Sequence, residues 1–175
     1  HDNSGKDPER QPEVVADVAA QVSAGNAAIV GVMLESFITA GRQDLEPGKP
    51  LAQWQIHRSN VYAIMAALQR RGFAQLTLDH LPDDPAILRT RLGAHLEASD
   101  VLILSGGVSM GRFDYVPQVL GELAVRVVFH KVAQRPGKPL WFGVGAGGQT
   151  VYALPGNPVS TLVCLTRYVL PGLQA

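Results

Sequence analysis

The sequence predicts an α/β fold: a three-layer sandwich in which a mostly parallel sheet is covered by helices on both faces. Three observations predict it. Short apolar runs alternate with segments whose apolar residues recur at helical spacing over most of the chain. The run Asp100-Val-Leu-Ile-Leu104 holds four consecutive apolar residues and no turn residue, as a strand buried on both faces does. It leads into Ser105-Gly-Gly-Val-Ser-Met-Gly-Arg-Phe-Asp114, a glycine-rich loop with a helical stretch behind it. Strand, glycine loop and helix in that order let backbone N–H groups approach an anionic ligand.

Taken in order, His1 to Arg10 is polar and reads as loop, and Pro12 suits the first turn of a helix. Val14, Val15, Val18, Ala19 and Val22 give that helix one apolar face, and Gly25-Asn26 stops it. Ala27 to Leu34 is the first strand, and Glu35 to Pro50, with Gly41, Pro47, Gly48 and Pro50, is expected to be mostly loop. Ser59 or Asn60 caps the next helix, whose buried stripe is Tyr62, Ile64, Met65 and Leu68 and which ends at Gly72. Ala74 to Leu78 is a strand. Asp84 as cap and Pro85 at the first helical position open a helix to about Ala98, with Ile87, Leu88, Leu92 and Leu96 inward. After the Val101–Leu104 strand and its loop, Asp114 to Leu123 is helical. Val125–Phe129 and Pro139–Gly143 are strands about an Arg135-Pro-Gly-Lys138 turn. Ala146-Gly-Gly-Gln149 is a hairpin turn into a strand at Thr150–Leu154, and Pro155-Gly-Asn-Pro158 leads into a terminal helix, Val159 to Leu170.

Composition narrows the function classes. The chain has 175 residues, one domain's worth, and 46% hydrophobic residues support an ordinary core. Fifteen basic and 15 acidic residues cancel, which argues against nucleic acid as a partner. The one cysteine, Cys164, excludes an intrachain disulfide and a cysteine-built zinc site, and it fits a cytoplasmic setting. It lies among Leu162, Val163 and Leu165 and reads as core, as Trp54 and Trp141 do. His57, His80, His95 and His130 share no spacing that suggests a metal cluster. There is neither a transmembrane-length apolar run nor a signal peptide, so no membrane partner is expected. The first residue is His1 rather than Met, so a fragment or processed product is expected.

Ligands of open α/β sheets sit beyond the carboxyl ends of the strands. Four loops qualify: Glu35–Pro50, His80–Asp84, Ser105–Asp114 and Pro155–Pro158. Lys131, Arg135 and Lys138 form a compact cationic segment able to meet phosphate, or simply a solvated face. Asp83, Asp84 and Asp114 are carboxylates at loop mouths; capping alone is the better account of Asp84 and an equal one for Asp114. In Pro155-Gly-Asn-Pro158 two prolines make a rigid turn at a strand end, where Asn157 can offer amide contacts.

From about Glu46 onward these pieces resemble the catalytic domain of molybdopterin molybdenumtransferases, the MoeA and gephyrin E-domain family, with its MoaB/Mog-like fold. The resemblance rests on Glu46-Pro-Gly-Lys-Pro-Leu51, Gln55-Ile-His-Arg-Ser-Asn60, Asp83-Asp-Pro85, Ser105-Gly-Gly-Val-Ser-Met-Gly111 with Asp114-Tyr115, Lys131 with Arg135-Pro-Gly-Lys-Pro139, and Pro155-Gly-Asn-Pro-Val-Ser160. The Ser-Gly-Gly-Val-Ser form is that of this branch, since the related adenylyltransferases carry a Thr-Gly-Gly-Thr-Gly type of loop. The resemblance implies insertion of molybdate into molybdopterin, with adenylyl-molybdopterin as the incoming form and Mg²⁺ assisting. It implies catalytic roles for Asp83, Asp84, Asp114, Lys131 and Lys138, with Asp84 and Asp114 at the metal. Ser105, Gly106, Gly107, Ser109, Gly111, Arg135, Pro155, Gly156, Asn157 and Pro158 would hold the small-molecule pterin. A homodimer is the assembly it suggests, and the family's further domains, which complete pocket and dimer, have no counterpart in the sequence.

The opening resembles something else. His1-Asp-Asn-Ser-Gly-Lys6, the helix after Glu9, Ala28-Ile-Val-Gly-Val-Met-Leu-Glu-Ser36 and Gly41-Arg-Gln-Asp-Leu45 are similar to the last part of class I 3-deoxy-arabino-heptulosonate-7-phosphate synthases, which are (β/α)₈ barrels. His1 and Glu35 match two of that family's metal ligands, while the Cys and Asp that complete the set have no counterpart. The chain therefore reads as a chimera joined near Asp44–Gly48, with residues 1–45 a helix–strand segment and 46–175 a molybdopterin-binding domain, forming one α/β unit. The borrowed strand is expected to take the place of the transferase's first strand. The join has a chemical cost. The transferase family carries Thr-Gly-Asp-Glu-Leu after that strand, whereas Ala40-Gly-Arg-Gln-Asp44 stands here, with Arg42 and Gln43 at the acidic positions. Impaired turnover is expected. The alternatives are a non-catalytic recombined scaffold and a synthase fragment.

Overall fold

The computed structural model describes residues 30–36, 44–45, 48, 50, 56–57, 59–82, 84–107 and 115–174. The expected helix after Pro12 lies outside them. The main sheet has six strands in the order β4-β1-β5-β8-β7-β6. These are β1 (Val30–Ser36), β4 (Leu76–Asp79), β5 (Val101–Gly106), β6 (Arg126–His130), β7 (Trp141–Val144) and β8 (Thr150–Leu154). β4, β1, β5 and β8 pair in parallel, and β7 runs antiparallel to both of its neighbours. β6 therefore points the same way as the four parallel strands. The largely parallel sheet with a hairpin near its edge is as the sequence predicts.

β1 sits between β4 and β5, in register Val32↔Leu78 with one and Val32↔Ile103 with the other. The expected parallel pairing of the first strand with its neighbours is thus observed. The loop expected from Glu35 onward begins later. Glu35 and Ser36 continue β1 beside Ser105 and Gly106 after a register shift, and Asp44–Leu45 (β2) pairs in parallel with Ile56–His57 (β3). Backbone pairing to a neighbouring strand overrides local polarity at such ends.

Strand β5 explains the three layers. All six of its residues are buried, and alternate side chains enter opposite cores. Val101 and Ile103 pack with Ile64 and Leu68 of α1 (Asn60–Gln69) and with Cys164 and Leu165 near the C-terminus. Leu102 and Leu104 pack with Leu88 and Leu92 of α2 (Pro85–Ala98) and with Val119 and Leu120 of α3 (Val116–Glu122). Phe142 of β7 stacks on Phe129 at 5.4 Å between centroids and meets Tyr152 at 4.7 Å, closing the first core toward the antiparallel edge.

Local signals placed the helices with some corrections. Asp84 Oδ1 accepts from the N–H groups of Ala86 and Ile87, with Pro85 at the first helical position. Ile87 and Tyr62, expected inward, are exposed, because each lies one residue off the stripe that faces the sheet. Helix α3 starts at Val116, with Tyr115 rather than Asp114 at its cap. The terminal helix is not continuous. α4 (Pro158–Cys164) widens into a π-helical stretch, Leu165–Val169, before α5 (Leu170–Gly172). Pro171 has no N–H to give the carbonyl four residues back, so the regular ladder cannot run through it.

Candidate functional site

Chain direction gathers the candidate loops at one end of the sheet. β5, β8 and β6 share a direction, so the residues after Gly106, after Leu154 and after His130 all leave the same rim, and β7 returns from it. The glycine loop, the Pro155–Pro158 turn and the Lys131–Leu140 segment are therefore neighbours along one edge. β1 and β4 end there as well, which brings Glu35 by backbone register beside Ser105.

Ser105 is the next-to-last residue of β5 and is fully buried. Gly106 and Gly107 follow with φ of +92° and +68°, where a side chain would strain the backbone. A Cβ on Gly107 would stand 2.8 Å from Val116 Cγ2, so glycine lets α3 close against the end of β5. Ser109, Gly111 and Asp114 lie outside the described residues, as do Asp83 and His1.

The cationic segment is shaped by its own backbone. Lys131 has φ +73°; its N–H donates to the Leu140 carbonyl and that of Val132 to Lys138 O, pinching the loop at its base. The Arg135–Pro136 bond is cis. Gln134 donates from Nε2 to Pro136 O at 2.8 Å and accepts from Tyr168 Oη at 3.0 Å. Lys131, Arg135 and Lys138 are exposed, and among the described residues none of them enters an ion pair. Three cations are thus presented on a loop anchored from beneath.

In the Pro155–Pro158 turn, Asn157 is the cap of α4: its Oδ1 accepts from Ser160 N at 3.1 Å and lies 3.3 Å from Ser160 Oγ. Pro155 is buried and its carbonyl accepts from Thr161 Oγ1 at 2.5 Å, while Gly156 is half-buried. The side chain that joins this turn to the glycine loop belongs to neither. Asn60 Nδ2 donates to Gly156 O at 2.8 Å and to Ser105 Oγ at 3.1 Å, and Asn60 is only 2% exposed. The sequence offers Asn60 as a cap, but Ser59 holds that position. The signal for another role is spacing: Asn60, Ile64 and Leu68 lie at i, i+4 and i+8 on one buried stripe.

Of the carboxylates, Asp84 is engaged as a helix cap and is exposed. Asp79, at the end of β4, takes His95 Nε2 at 2.7 Å and the Arg91 guanidinium. No cluster of three or more His, Cys, Asp or Glu residues able to hold a metal occurs among the described residues. Cys164 is buried, its thiol pushed up to about 11 by desolvation, which suits a core residue and not a nucleophile.

Comparison with known proteins then decides the family. A family model described as "Probable molybdopterin binding domain" matches residues 38–175. The chain belongs to this family. A molybdopterin molybdenumtransferase of Synechocystis is 51% identical over 118 residues, 66% of this chain and 30% of that protein. A molybdopterin molybdenumtransferase of Synechococcus elongatus is 36% identical over 163 residues, 90% of this chain and 40% of that protein. The chain thus spans about a third of the length of these curated relatives. Among solved structures, a molybdopterin biosynthesis MoeA protein of Pyrococcus superposes with TM-score 0.66 at 28% identity, covering 84% of this chain and 34% of that one. The Mog protein of Mycobacterium ulcerans has the same fold, with TM-score 0.60 at 21% identity, and this chain covers 97% of it. The second resemblance is also found: the DAHP synthetase I family matches residues 1–67. Both families match 38–67, the stretch that contains the expected join. β1 precedes the overlap, within the stretch that the synthase family matches, and it pairs between β4 and β5 in the main sheet.

Proposed function

We propose that this chain binds molybdopterin, free or adenylylated, at the carboxyl rim of its sheet, and that its biochemical role is molybdate insertion with impaired turnover. The observation that carries the reading is topological: an N–H-rich glycine loop, three cations and the Pro155–Pro158 turn leave one rim. Phosphate and molybdate oxygens need cations and N–H donors, and a flat ring needs a rigid wall. Lys131, Arg135 and Lys138 take the anionic oxygens. Ser105, Gly106, Gly107, Ser109 and Gly111 cradle the phosphate from one side, and Pro155, Gly156, Asn157 and Pro158 line the ring from the other. Asp83, Asp84 and Asp114 border the phosphoanhydride and molybdate region. Molybdate is the substrate delivered to the pterin.

The family resemblance brings in Mg²⁺. Among the described residues no group of three or more His, Cys, Asp or Glu is placed to hold it, and Asp84 already accepts two backbone N–H groups, while Asp83 and Asp114 lie outside the described residues. No step here is routed through a metal. The rest of the reading is a cytoplasmic protein working as a homodimer, residues 1–45 and 46–175 folding as one domain. Among the described residues no helix is long and apolar enough to cross a membrane.

Titration calorimetry with molybdopterin and with its adenylylated form tests the reading. Saturable heat that disappears in a Lys131→Ala, Lys138→Ala double variant is expected; no heat at high ligand concentration overturns it. Weaker molybdopterin binding in Asp114→Ala would give that carboxylate its role. A second reading, a recombined scaffold without turnover, is favoured by Arg42 and Gln43 at positions where the family has acids. Binding without product formation distinguishes it.

A further inference from the structure

Asn60 stands at the start of a helix, where an asparagine side chain ordinarily folds back onto nearby backbone N–H groups. Here its amide nitrogen reaches Ser105 Oγ and Gly156 O, 45 and 96 residues away in sequence. An amide NH₂ offers two hydrogens in one plane, so making both bonds at once sets the separation of the two acceptors. Those acceptors lie at the roots of the two loops proposed to face the pterin. Gly106 and Gly107, just past Ser105, have positive φ and no side chains to hold them, and Gly156 precedes the cap of α4. Each loop is hinged at glycine, and each is tied at its base to one nitrogen. That side chain is buried on a stripe with Ile64 and Leu68, so α1 and the roots of both loops are linked through one buried group.

We infer that Asn60 is a positioning residue: it sets the gap between the Ser105–Gly107 loop and the Pro155–Pro158 turn and so pre-shapes the cleft between them. The inference rests on the pterin reading for its binding consequence, and on the two hydrogen bonds alone for its structural one. Asn60→Asp tests it with little change of shape, because a carboxylate has no hydrogen for the Gly156 carbonyl and repels it. The full chain, ¹⁵N-labelled, is followed by amide hydrogen exchange and by calorimetry with molybdopterin, alongside Ser105→Ala, which removes one acceptor and leaves the other.

Exchange is expected to speed up about tenfold or more at Gly106, Gly107, Gly156 and Asn157 in Asn60→Asp, and less in Ser105→Ala, with the β6–β7 amides unchanged. Molybdopterin binding is expected to weaken by about tenfold to a hundredfold, the scale of a small misplacement of binding groups. Unchanged exchange at both loops overturns the inference. So does acceleration spread evenly over the sheet, which would make Asn60 a stability residue only. If the unaltered chain binds no pterin, the functional reading falls, and the exchange pattern still decides the role of Asn60. If Asn60→Asp does not fold, Ser105→Ala carries the comparison at the loop it frees, with faster exchange confined to Gly106 and Gly107 supporting the inference and its absence there refuting it.

Discussion

Tyr168 Oη donates to Gln134 Oε1 at 3.0 Å, which ties the C-terminal π-helical stretch to the cationic loop. Gln134 in turn donates to Pro136 O at 2.8 Å, so a phenol on one element stiffens the loop that presents Lys131, Arg135 and Lys138. Tyr168→Phe removes one neutral hydrogen bond and should cost ~1 kcal/mol of stability. A loosened loop should also lower affinity for pyrophosphate more than the stability loss alone explains. Urea unfolding and calorimetry on the same variant check both parts. Unchanged affinity would detach the tie from the site.

Gly137 has φ +109° and is packed so closely that a Cβ would lie 2.7 Å from Cys164 Sγ and 2.8 Å from Gln134 Nε2. Gly137→Ala should therefore destabilise by roughly 1–3 kcal/mol through strain and overpacking. Cys164→Ala removes the sulfur that the new methyl meets. The double variant should be less destabilised than the sum of the singles, and additive losses in a denaturant series would show that the two residues do not press on each other.

The Cys164 thiol is raised from 9.0 to about 11 because its charged form would be buried. Between those values the folded chain holds a proton that the unfolded chain has lost, so stability falls as pH rises. The contribution is intact below about 9 and is lost through about 11, with a slope of up to roughly 1.4 kcal/mol per pH unit. Stability measured from pH 8 to about 11 should fall less steeply in Cys164→Ala than in the unaltered chain. Tyr152, pushed up from 10.0 to about 12 by burial, adds a second loss that begins above about 10 and overlaps the first. Parallel curves for the two proteins would contradict the assignment.

Val32 pairs with Leu78 on one side and Ile103 on the other. A proline there removes a donor from an interior strand and clashes with its neighbours. Val32→Pro should cost at least the ~1–3 kcal/mol of an unsatisfied buried group and should release β4, whose one pairing in the sheet among the described residues is with β1. Circular dichroism melting is the measurement. An unaltered melting temperature would mean that the synthase-like segment is not built into the sheet, and the chimeric domain would have to be abandoned.

The legible parts were those governed by neighbours in sequence. Asp84 followed by Pro85 caps and starts a helix through bonds that span two and three residues. Val101 to Leu104 reads as a doubly buried strand because every side chain is apolar. The glycine loop and the Pro155–Pro158 turn could be placed at strand ends on the same ground. Burial within α1 could not: Tyr62 and Ile64 both look apolar, and the angle at which the helix meets the sheet exposes one and buries the other. The break in the terminal helix was written at Pro171, but its effect surfaces several residues earlier, as a widened turn.

What the residue order settles on its own is the layering and the inventory: which runs alternate, where glycines bend the chain, and which amides and cations stand near strand ends. It settles these because propensity, capping and apolar periodicity act over a few residues. Which of those groups meet was decided only by the folded chain. Strand direction carries Ser105, Gly156 and Lys131 to one rim, and Asn60 finds its acceptors 45 and 96 residues away. Such meetings depend on how helix α1 lies across the sheet, and no short-range interaction encodes that.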